Sequence, residues 1–254
     1  MRSLDEELRD PRYRDDPLLH AMSGADRRRV GEIWQHRASS ELGAGSAFSQ
    51  VLVGLEAIGA RPEVIALARQ AALEETAHAR GCHRLAEIYL DDDLVMPTPR
   101  LAALPAHRGA TDALRVTLHV IGLSCINETI ACEFVSRCLD ESDALAVREV
   151  SQRHLRDEIG HARVGWAHLA SGVIDAQDRA QLASWLPRLV KANGEHWLAR
   201  MRTLPEDGVR GHGYPAIRQL EAAVHHALRA VVVPGLAHVG IDVTRTAAAV
   251  AALG

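Results

Sequence analysis

Two Glu-x-x-His motifs carry the residue types and the spacing that metal binding needs. They are Glu75-Thr-Ala-His78 and Glu158-Ile-Gly-His161. Residues three apart on a helix lie on one face, so the carboxylate and the imidazole of each motif can reach the same metal ion. One motif alone is weak evidence, because an exposed pair of helical side chains has the same spacing.

Two further glutamates lie where helical hairpins would bring them level with the motifs. In an antiparallel hairpin, residues equally far from the turn lie at the same height. Reflection through the turn between the first two predicted helices takes Glu75 close to Glu41. Reflection through the turn between the next two takes Glu158 close to Glu128, whereas the rival Glu133 faces a more polar side. Two lone glutamates with two Glu-x-x-His motifs form the ligand set of a di-metal carboxylate bundle.

Three more side chains beside the motifs are candidates for the same site. His154 lies one turn before the second motif on the same helical face and is predicted to be a seventh ligand. Glu74 and Asp157 directly precede the motifs and could accept the Nδ1–H of the metal-bound histidine on the opposite helix. The alternative for both acids is an ordinary solvated position. His168 lies farther along the same stripe and is interpreted as structural.

The predicted donors are carboxylate oxygens and imidazoles, which suit two iron ions, or manganese as the alternative, better than structural zinc. Their arrangement resembles the para-aminobenzoate N-oxygenase family, whose members carry a third histidine ligand one turn ahead of the last Glu-x-x-His. The residues that match are Glu41, Glu75, His78, Glu128, His154, Glu158 and His161. The resemblance implies a ferritin-like fold and a non-haem di-iron centre that activates O2 with an external electron donor. It also implies that the centre oxidises an amine nitrogen.

Two other classes of function fit the same residues. One is a ferroxidase or iron-storage protein, which has the metal centre but no organic substrate. The other is a binding or structural helical protein with an inactive site. Small residues near the motifs, such as Cys82 and Ala131, could leave room for a substrate or could only permit close helix packing. A second group near the C-terminus, Glu221 with His225 and His226, is interpreted as surface or packing residues, because adjacent histidines point to different sides of a helix.

These residues need four long helices to position them. Apolar periodicity and turn signals predict helices at about residues 25–59, 61–90, 111–139 and 143–171, with further helices at about 175–202, 214–233 and 243–253. A single long crossover near residues 91–107 is typical of the ferritin-like arrangement. The predicted fold class is all-α: a ferritin-like four-helix bundle with one long crossover and additional C-terminal helices. The prediction is one domain over residues 1–254, with a metal-binding bundle at about 25–171 and accessory helices packed outside it at about 175–254.

Composition narrows the classes of partner. Hydrophobic residues make up 47% of the 254 residues and aromatic residues only 4%, which favours packed helices over sheets. A net charge of −4 with mixed signs predicts no nucleic-acid partner. Charged residues and histidines interrupt the apolar stretches at 113–135 and 222–241, and the N-terminus is densely charged. We therefore expect no membrane span, no signal peptide and a cytoplasmic location.

The sequence also predicts the state of the cysteines and the kinds of partner that the chemistry needs. The four cysteines form no Cys-x-x-Cys pair and are predicted to be reduced and buried; they are Cys82, Cys125, Cys132 and Cys138. The expected partners are a small-molecule substrate and a reductase or chemical reductant. A homodimer is left open.

Overall fold

A computed structural model describes residues 3–99 and 101–253 of the chain. Within them the backbone is mostly helical and forms isolated bridges, such as Ser142 with Gly211, but no β-strand. The prediction of an all-α fold is confirmed. Four long helices contain every predicted site residue; they are α1 (Gly24–Ala57), α2 (Pro62–Leu90), α3 (Asp112–Asp140) and α4 (Leu145–Ala170).

Helices α1 and α2 form an antiparallel hairpin. The side chain of Ser23 caps α1 by accepting a hydrogen bond from the backbone N–H of Asp26 at 3.1 Å. The turn after α1 contains Gly59, whose φ of +66° lies in the left-handed region that glycine adopts without strain. Gly45 lets the two helices approach closely, because an added Cβ there would lie 3.2 Å from the Cβ of Glu75. The hairpin therefore brings the first Glu-x-x-His motif against α1.

Helix α3 follows a long connection at residues 91–111 and is irregular in its middle. Ile121–Glu128 widens into π-helical turns between the α-helical segments Asp112–Val120 and Thr129–Asp140. Wide turns of this kind often occur at functional sites. Glu128 is the last residue of the widened segment. The sequence analysis predicted one regular helix here, because a π turn leaves no mark in residue type.

Three more helices follow α4; they are α5 (Ala176–Met201), α6 (217–238, with π turns at Ala227–Val232) and α7 (Thr244–Ala251). Leu186 of α5 and Leu228 of α6 belong to the same buried apolar cluster as Ile126 of α3. The indole N–H of Trp197 in α5 donates to Oδ1 of Asn127 at 3.1 Å. These helices share a core with α3, so they do more than cover the outside of the long helices.

The predicted helices agree with the observed ones to within three residues at each end, except that α6 continues to His238, five residues past its predicted end. The sequence analysis missed three short helical turns near the N-terminus, namely Leu4–Glu7, Pro11–Arg14 and Pro17–His20. Each turn is too short to show an apolar period, and each depends on a local cap or proline instead.

The four cysteines are free thiols, and three of them are buried. Cys132 is only partly buried, so the prediction of burial is wrong at this position. Apolar neighbours in the sequence indicate a helix, but they do not fix the face on which one residue lies.

Among the described helices, α3 is the one that is long and apolar enough to cross a membrane by length and composition. Its most apolar window has a mean hydropathy of 1.3. Of that window, 72% is buried inside the protein, and the core helix of a soluble protein can meet the same criterion.

His168 is a fully buried histidine between α3 and α4. Its Nε2 lies 3.1 Å from Oγ1 of Thr117. Burial lowers the pKa of His168 to about 4. Below a pH of about 6.5 the unfolded chain binds a proton that the folded protein excludes, so this contribution to stability is present above that pH and is lost as the pH falls toward 4.

Replacing His168 should therefore reduce the loss of unfolding free energy that occurs as the pH falls. Between about pH 7 and about pH 5, the free energy of unfolding of the wild type should fall by about 2 kcal/mol more than that of His168→Gln. Urea unfolding at the two pH values measures the difference. Thr117→Val keeps the imidazole and should keep the wild-type pH dependence. Equal slopes for wild type and His168→Gln would contradict a neutral buried ring.

Candidate metal centre

Helices α2 and α4 bring both Glu-x-x-His motifs into one buried cluster. One donor atom from each of Glu75, His78, Glu158 and His161 lies within 4.8 Å of the other three. Each of these residues is at most 2% exposed. Nδ1 of His161 lies 3.1 Å from Oε1 of Glu75 and 3.2 Å from Oε2 of Glu158. Nδ1 of His78 lies 3.5 Å from Oε1 of Glu158. We call these four residues the motif cluster.

Donor atoms of the motif cluster converge without hydrogen-bond partners. Among residues 3–99 and 101–253, none donates to or accepts from Oε2 of Glu75, Nδ1 of His78, Oε2 of Glu158 or Nδ1 of His161, and all four atoms are buried. Buried polar atoms without partners are costly, and a bound cation would satisfy the carboxylates and the imidazole lone pairs together. The motif cluster can therefore hold a metal ion.

Glu74 and Asp157 contact the outer side of the two histidines. Oε2 of Glu74 lies 3.1 Å from Nε2 of His161, and Oδ2 of Asp157 lies 3.3 Å from Nε2 of His78. Each acid reaches the histidine of the opposite helix. The contacting nitrogen is Nε2 and not the predicted Nδ1, because both rings turn Nδ1 toward the cluster carboxylates. Such outer contacts fix the ring orientation and leave Nδ1 for a metal.

Charge pairing holds the metal-free motif cluster together. Burial by itself lowers the pKa of His78, but the nearby carboxylates of Asp157, Glu158 and Glu75 outweigh burial and raise it well above the ordinary value. The pKa of His161 is also raised, against the effect of burial, by its close contacts with the carboxylates of Glu158, Glu74 and Glu75. Burial raises the pKa of Glu158, but its contacts with both histidines dominate and lower it. Protonated rings thus supply the positive charge that a metal ion would replace.

Glu41 of α1 lies beside the motif cluster. Its side chain is 13% exposed, and its Oε1 lies 3.4 Å from Nε of Arg37. Burial and then the charge of Glu75 raise the pKa of Glu41 to about 7, although Arg37 opposes the shift. Glu41 also forms a second group with Cys82 and His154, in which one donor atom from each lies within 4.8 Å of the others.

Glu128 lies at the end of the π-helical turns of α3 and is 5% exposed. Burial, followed by the charges of Glu158 and Glu75, raises its pKa well above the ordinary value. Both lone glutamates are therefore largely buried, and both lie near enough to the motif cluster for its carboxylates to raise their pKa values. The rival Glu133 instead has Oε1 3.9 Å from Nε2 of His226, whose side chain is 56% exposed.

His154 of α4 is fully buried beside the motif cluster. Its ring stacks on His78 with the centroids 4.1 Å apart. Neither ring nitrogen has a hydrogen-bond partner in the described part of the chain. Burial, and then the charges of His78 and Arg37, lower the pKa of His154 well below its ordinary value. The structure thus offers a neutral imidazole with a free lone pair next to the carboxylates.

A cavity of ≈ 520 Å³ adjoins the motif cluster. Glu41, Glu128 and Glu158 line it, together with Trp197 and Arg200 of α5. This volume lies in the range of small-molecule sites. The sequence analysis did not find the two α5 residues, because nothing in the periodicity of α5 identifies the surface against which it packs.

The small residues near the motifs fall into two groups: some line the cavity, and others only permit close helix packing. Ala44, Ala47 and Ala131 line the cavity. Ala71 and Ala79 are buried within the helix packing and do not line it. Some small residues therefore leave room beside the centre, while others only let the helices approach.

The comparisons with known proteins add no precedent for this geometry. Neither protein-family models, nor curated proteins, nor solved structures show a match to the chain.

Proposed function

We propose that this chain is a ferritin-like di-iron oxidoreductase that uses O2 to oxidise a small organic substrate, with an amine nitrogen as the group oxidised. One observation carries the proposal: a buried, convergent set of Glu and His donors, several of whose atoms lack a hydrogen bond, adjoins a cavity of ≈ 520 Å³. A ferroxidase or storage protein needs the donors but not the cavity. The cavity therefore favours an enzyme with an organic substrate.

Iron fits the donors better than a softer metal does, and manganese is the alternative. Four carboxylates and three imidazoles would hold two ions; they are Glu41, Glu75, Glu128, Glu158, His78, His154 and His161. Hard oxygen donors with a few imidazoles suit iron or manganese. When bound, the metal pair would supply the reduction of O2 by electrons from an external donor.

The protein's own part is to orient the donors and to exclude water. Glu74 and Asp157 hold the histidine rings through Nε2. The ring of Phe48, which is fully buried, packs edge-on against His161 with the centroids 5.4 Å apart. On the cavity side, Trp197 and Phe134 present aromatic surface to a substrate. Fixed ligands beside a cavity with aromatic surface are what a substrate-oxidising centre requires.

Metal content and the response to O2 test the proposal. Purified protein loaded with Fe(II) should contain about two irons per chain. Exposure to O2 should give a transient absorption band and, with a reductant and an arylamine present, an N-oxygenated product. Iron that oxidises to a mineral core with no organic product would favour storage. Absence of stoichiometric metal would remove the centre altogether.

A cavity-filling variant separates the two metal-dependent alternatives. Ala44 lines the cavity and is not a predicted ligand. Ala44→Phe should retain bound iron and its oxidation by O2 but lose most of the amine oxidation, because the substrate would have no room. Ser184→Ala, on an exposed part of α5, is a control that should leave both activities unchanged. Equal amine oxidation by Ala44→Phe and wild type would show that the substrate does not use this cavity.

A further inference from the structure

Cys82 lies one helical turn after His78 in α2, and its side chain is fully buried. Residues four apart share a helical face, so the Cys82 thiol points to the same side as the His78 imidazole. Neither the sequence motifs nor the proposed function uses this thiol. Its surroundings nevertheless differ from those of an ordinary core cysteine.

Three different helices bring donor atoms to the Cys82 thiol. One oxygen of Glu41 from α1, Sγ of Cys82 from α2 and one ring nitrogen of His154 from α4 all lie within 4.8 Å of one another. Metal–ligand bonds of about 2.0–2.3 Å draw donor atoms slightly closer than this, so small side-chain rotations suffice. The three donor types are an oxygen, a sulfur and a nitrogen.

An independent observation indicates that this group is built for a ligand. His154 is 0% exposed, and neither of its ring nitrogens finds a hydrogen-bond partner among the described residues. An imidazole buried in this way costs free energy unless something accepts its lone pair or its N–H. Cys82 and Glu41 are the donors placed with it, so a cation between the three satisfies all of them.

Arg37 does not block this arrangement. Its Nε lies 3.4 Å from Oε1 of Glu41, which leaves Oε2 of the same carboxylate for a metal ion. The guanidinium also lies over the rings of Trp34 and Phe134, at 4.9 Å and 5.4 Å from their centroids. Arg37 is therefore anchored beside the carboxylate, and both interactions can exist together.

We propose that Cys82 is a thiolate ligand, and that Cys82, Glu41 and His154 together form the second metal position of the centre. The inference rests on the proposed metal centre. On binding, the thiol releases its proton to solvent and a sulfur lone pair forms the bond to the metal, so no oxidant or reductant is required. The first position, made by the motif cluster, has only oxygen and nitrogen donors. The two positions are therefore chemically unlike, because the second adds a soft sulfur donor to an oxygen and a nitrogen.

Cobalt(II) reports directly on a thiolate ligand. Titrating the metal-free full-length protein with Co(II) should produce a near-ultraviolet charge-transfer band whose intensity corresponds to one thiolate per chain. Cys82→Ser should lose this band and bind the second equivalent of Co(II) about tenfold or more weakly, while the first equivalent still binds. Cys138→Ser, which changes another buried cysteine that belongs to neither donor group, should keep the band.

The outcomes separate this inference from the proposed function. Two equivalents of Co(II) bound to wild type without a thiolate band would overturn the role of Cys82 and leave the metal centre intact. A band that persists in Cys82→Ser would assign the thiolate to another cysteine and would also overturn it. Failure of Co(II) to bind at all would overturn both. The wild-type spectrum decides the matter even if a variant folds poorly.

Discussion

Metal addition should raise the stability of the metal-free protein by about 4 kcal/mol when free Fe(II) or Co(II) is about 1,000 times its dissociation constant. For a chain of this length, that gain corresponds to a rise in Tm of about 8–16 °C. The physical reason is that the motif cluster is complete only in the folded protein, so the metal ion binds the folded state alone. Thermal unfolding under anaerobic conditions, with and without metal, measures the gain.

A pair of glutamate variants on α4 assigns this gain to the cluster. Glu158 contacts both cluster histidines, whereas Glu149 on the same helix pairs with Arg153 outside it. Glu158→Gln should lose most of the metal-dependent gain, and Glu149→Gln should keep it. Unchanged melting of wild type at saturating metal would show that the cluster is not a metal site.

The metal-dependent gain in stability should be smaller at acidic pH. The pKa values of His78 and His161 are raised in the metal-free protein, so both rings hold protons that a metal ion must displace. Their contribution to metal-free stability is fully present below the unfolded pKa of about 6.5 and is lost as the pH rises through the folded values. The metal-dependent rise in Tm should therefore be larger at about pH 8 than at about pH 6.

Gly165→Ala should destabilise the protein by about 1–3 kcal/mol, the range expected for overpacking. Gly165 of α4 lies against the π-helical turns of α3, where an added Cβ would be 3.0 Å from both the backbone nitrogen of Cys125 and the Cβ of Ser124, and closer still to Sγ of Cys125. A backbone atom cannot rotate away, so the widened segment must shift. Since Glu128 ends that segment, the variant should also weaken metal binding. Urea unfolding and metal titration measure the two effects.

Gly160 provides a matched control on the same helix. An added Cβ at Gly160 meets nothing within 4 Å. Gly160→Ala should therefore stabilise the helix by about 0.5–1 kcal/mol, as alanine does in an open helical position. The double variant Gly165→Ala with Cys125→Ala should recover part of the loss by removing the sulfur. If Gly165→Ala and Gly160→Ala have the same stability, the close approach of α4 to α3 is not a constraint.

The helices could be predicted from the sequence because the residues that start, end and pattern a helix lie close together in the chain. Ser23 caps α1, and residues of one helix face repeat at a fixed spacing, so boundaries follow from nearby residues. Site residues on the helical hairpin could also be placed by reflection through a turn, as for Glu41 opposite Glu75. That argument uses only the length of the chain between them.

Features that depend on packing between distant elements could not be predicted in this way. The choice of Nε2 by Asp157 depends on the rotation of the His78 ring between two helices. The contribution of Trp197 and Arg200 to the cavity depends on where α5 packs, and no residue type indicates that position. The grouping of Cys82 with His154 depends in the same way on the contact between α2 and α4.

The widened turns in α3 have a consequence for insertions and deletions. Each residue of an ordinary α-helix turns the next side chain by about 100°, and a π turn accommodates one residue more than an α turn. Deleting one residue within Ile121–Glu128 would let the helix become regular with little change in the directions of the flanking side chains, because the wide turn already accommodates one residue more than an α turn. Glu128 could then still face α4 while Leu114 and Leu118 kept their places in the core. A sequence search for related metal centres should therefore allow the number of residues between the start of the third helix and its lone glutamate to differ by one.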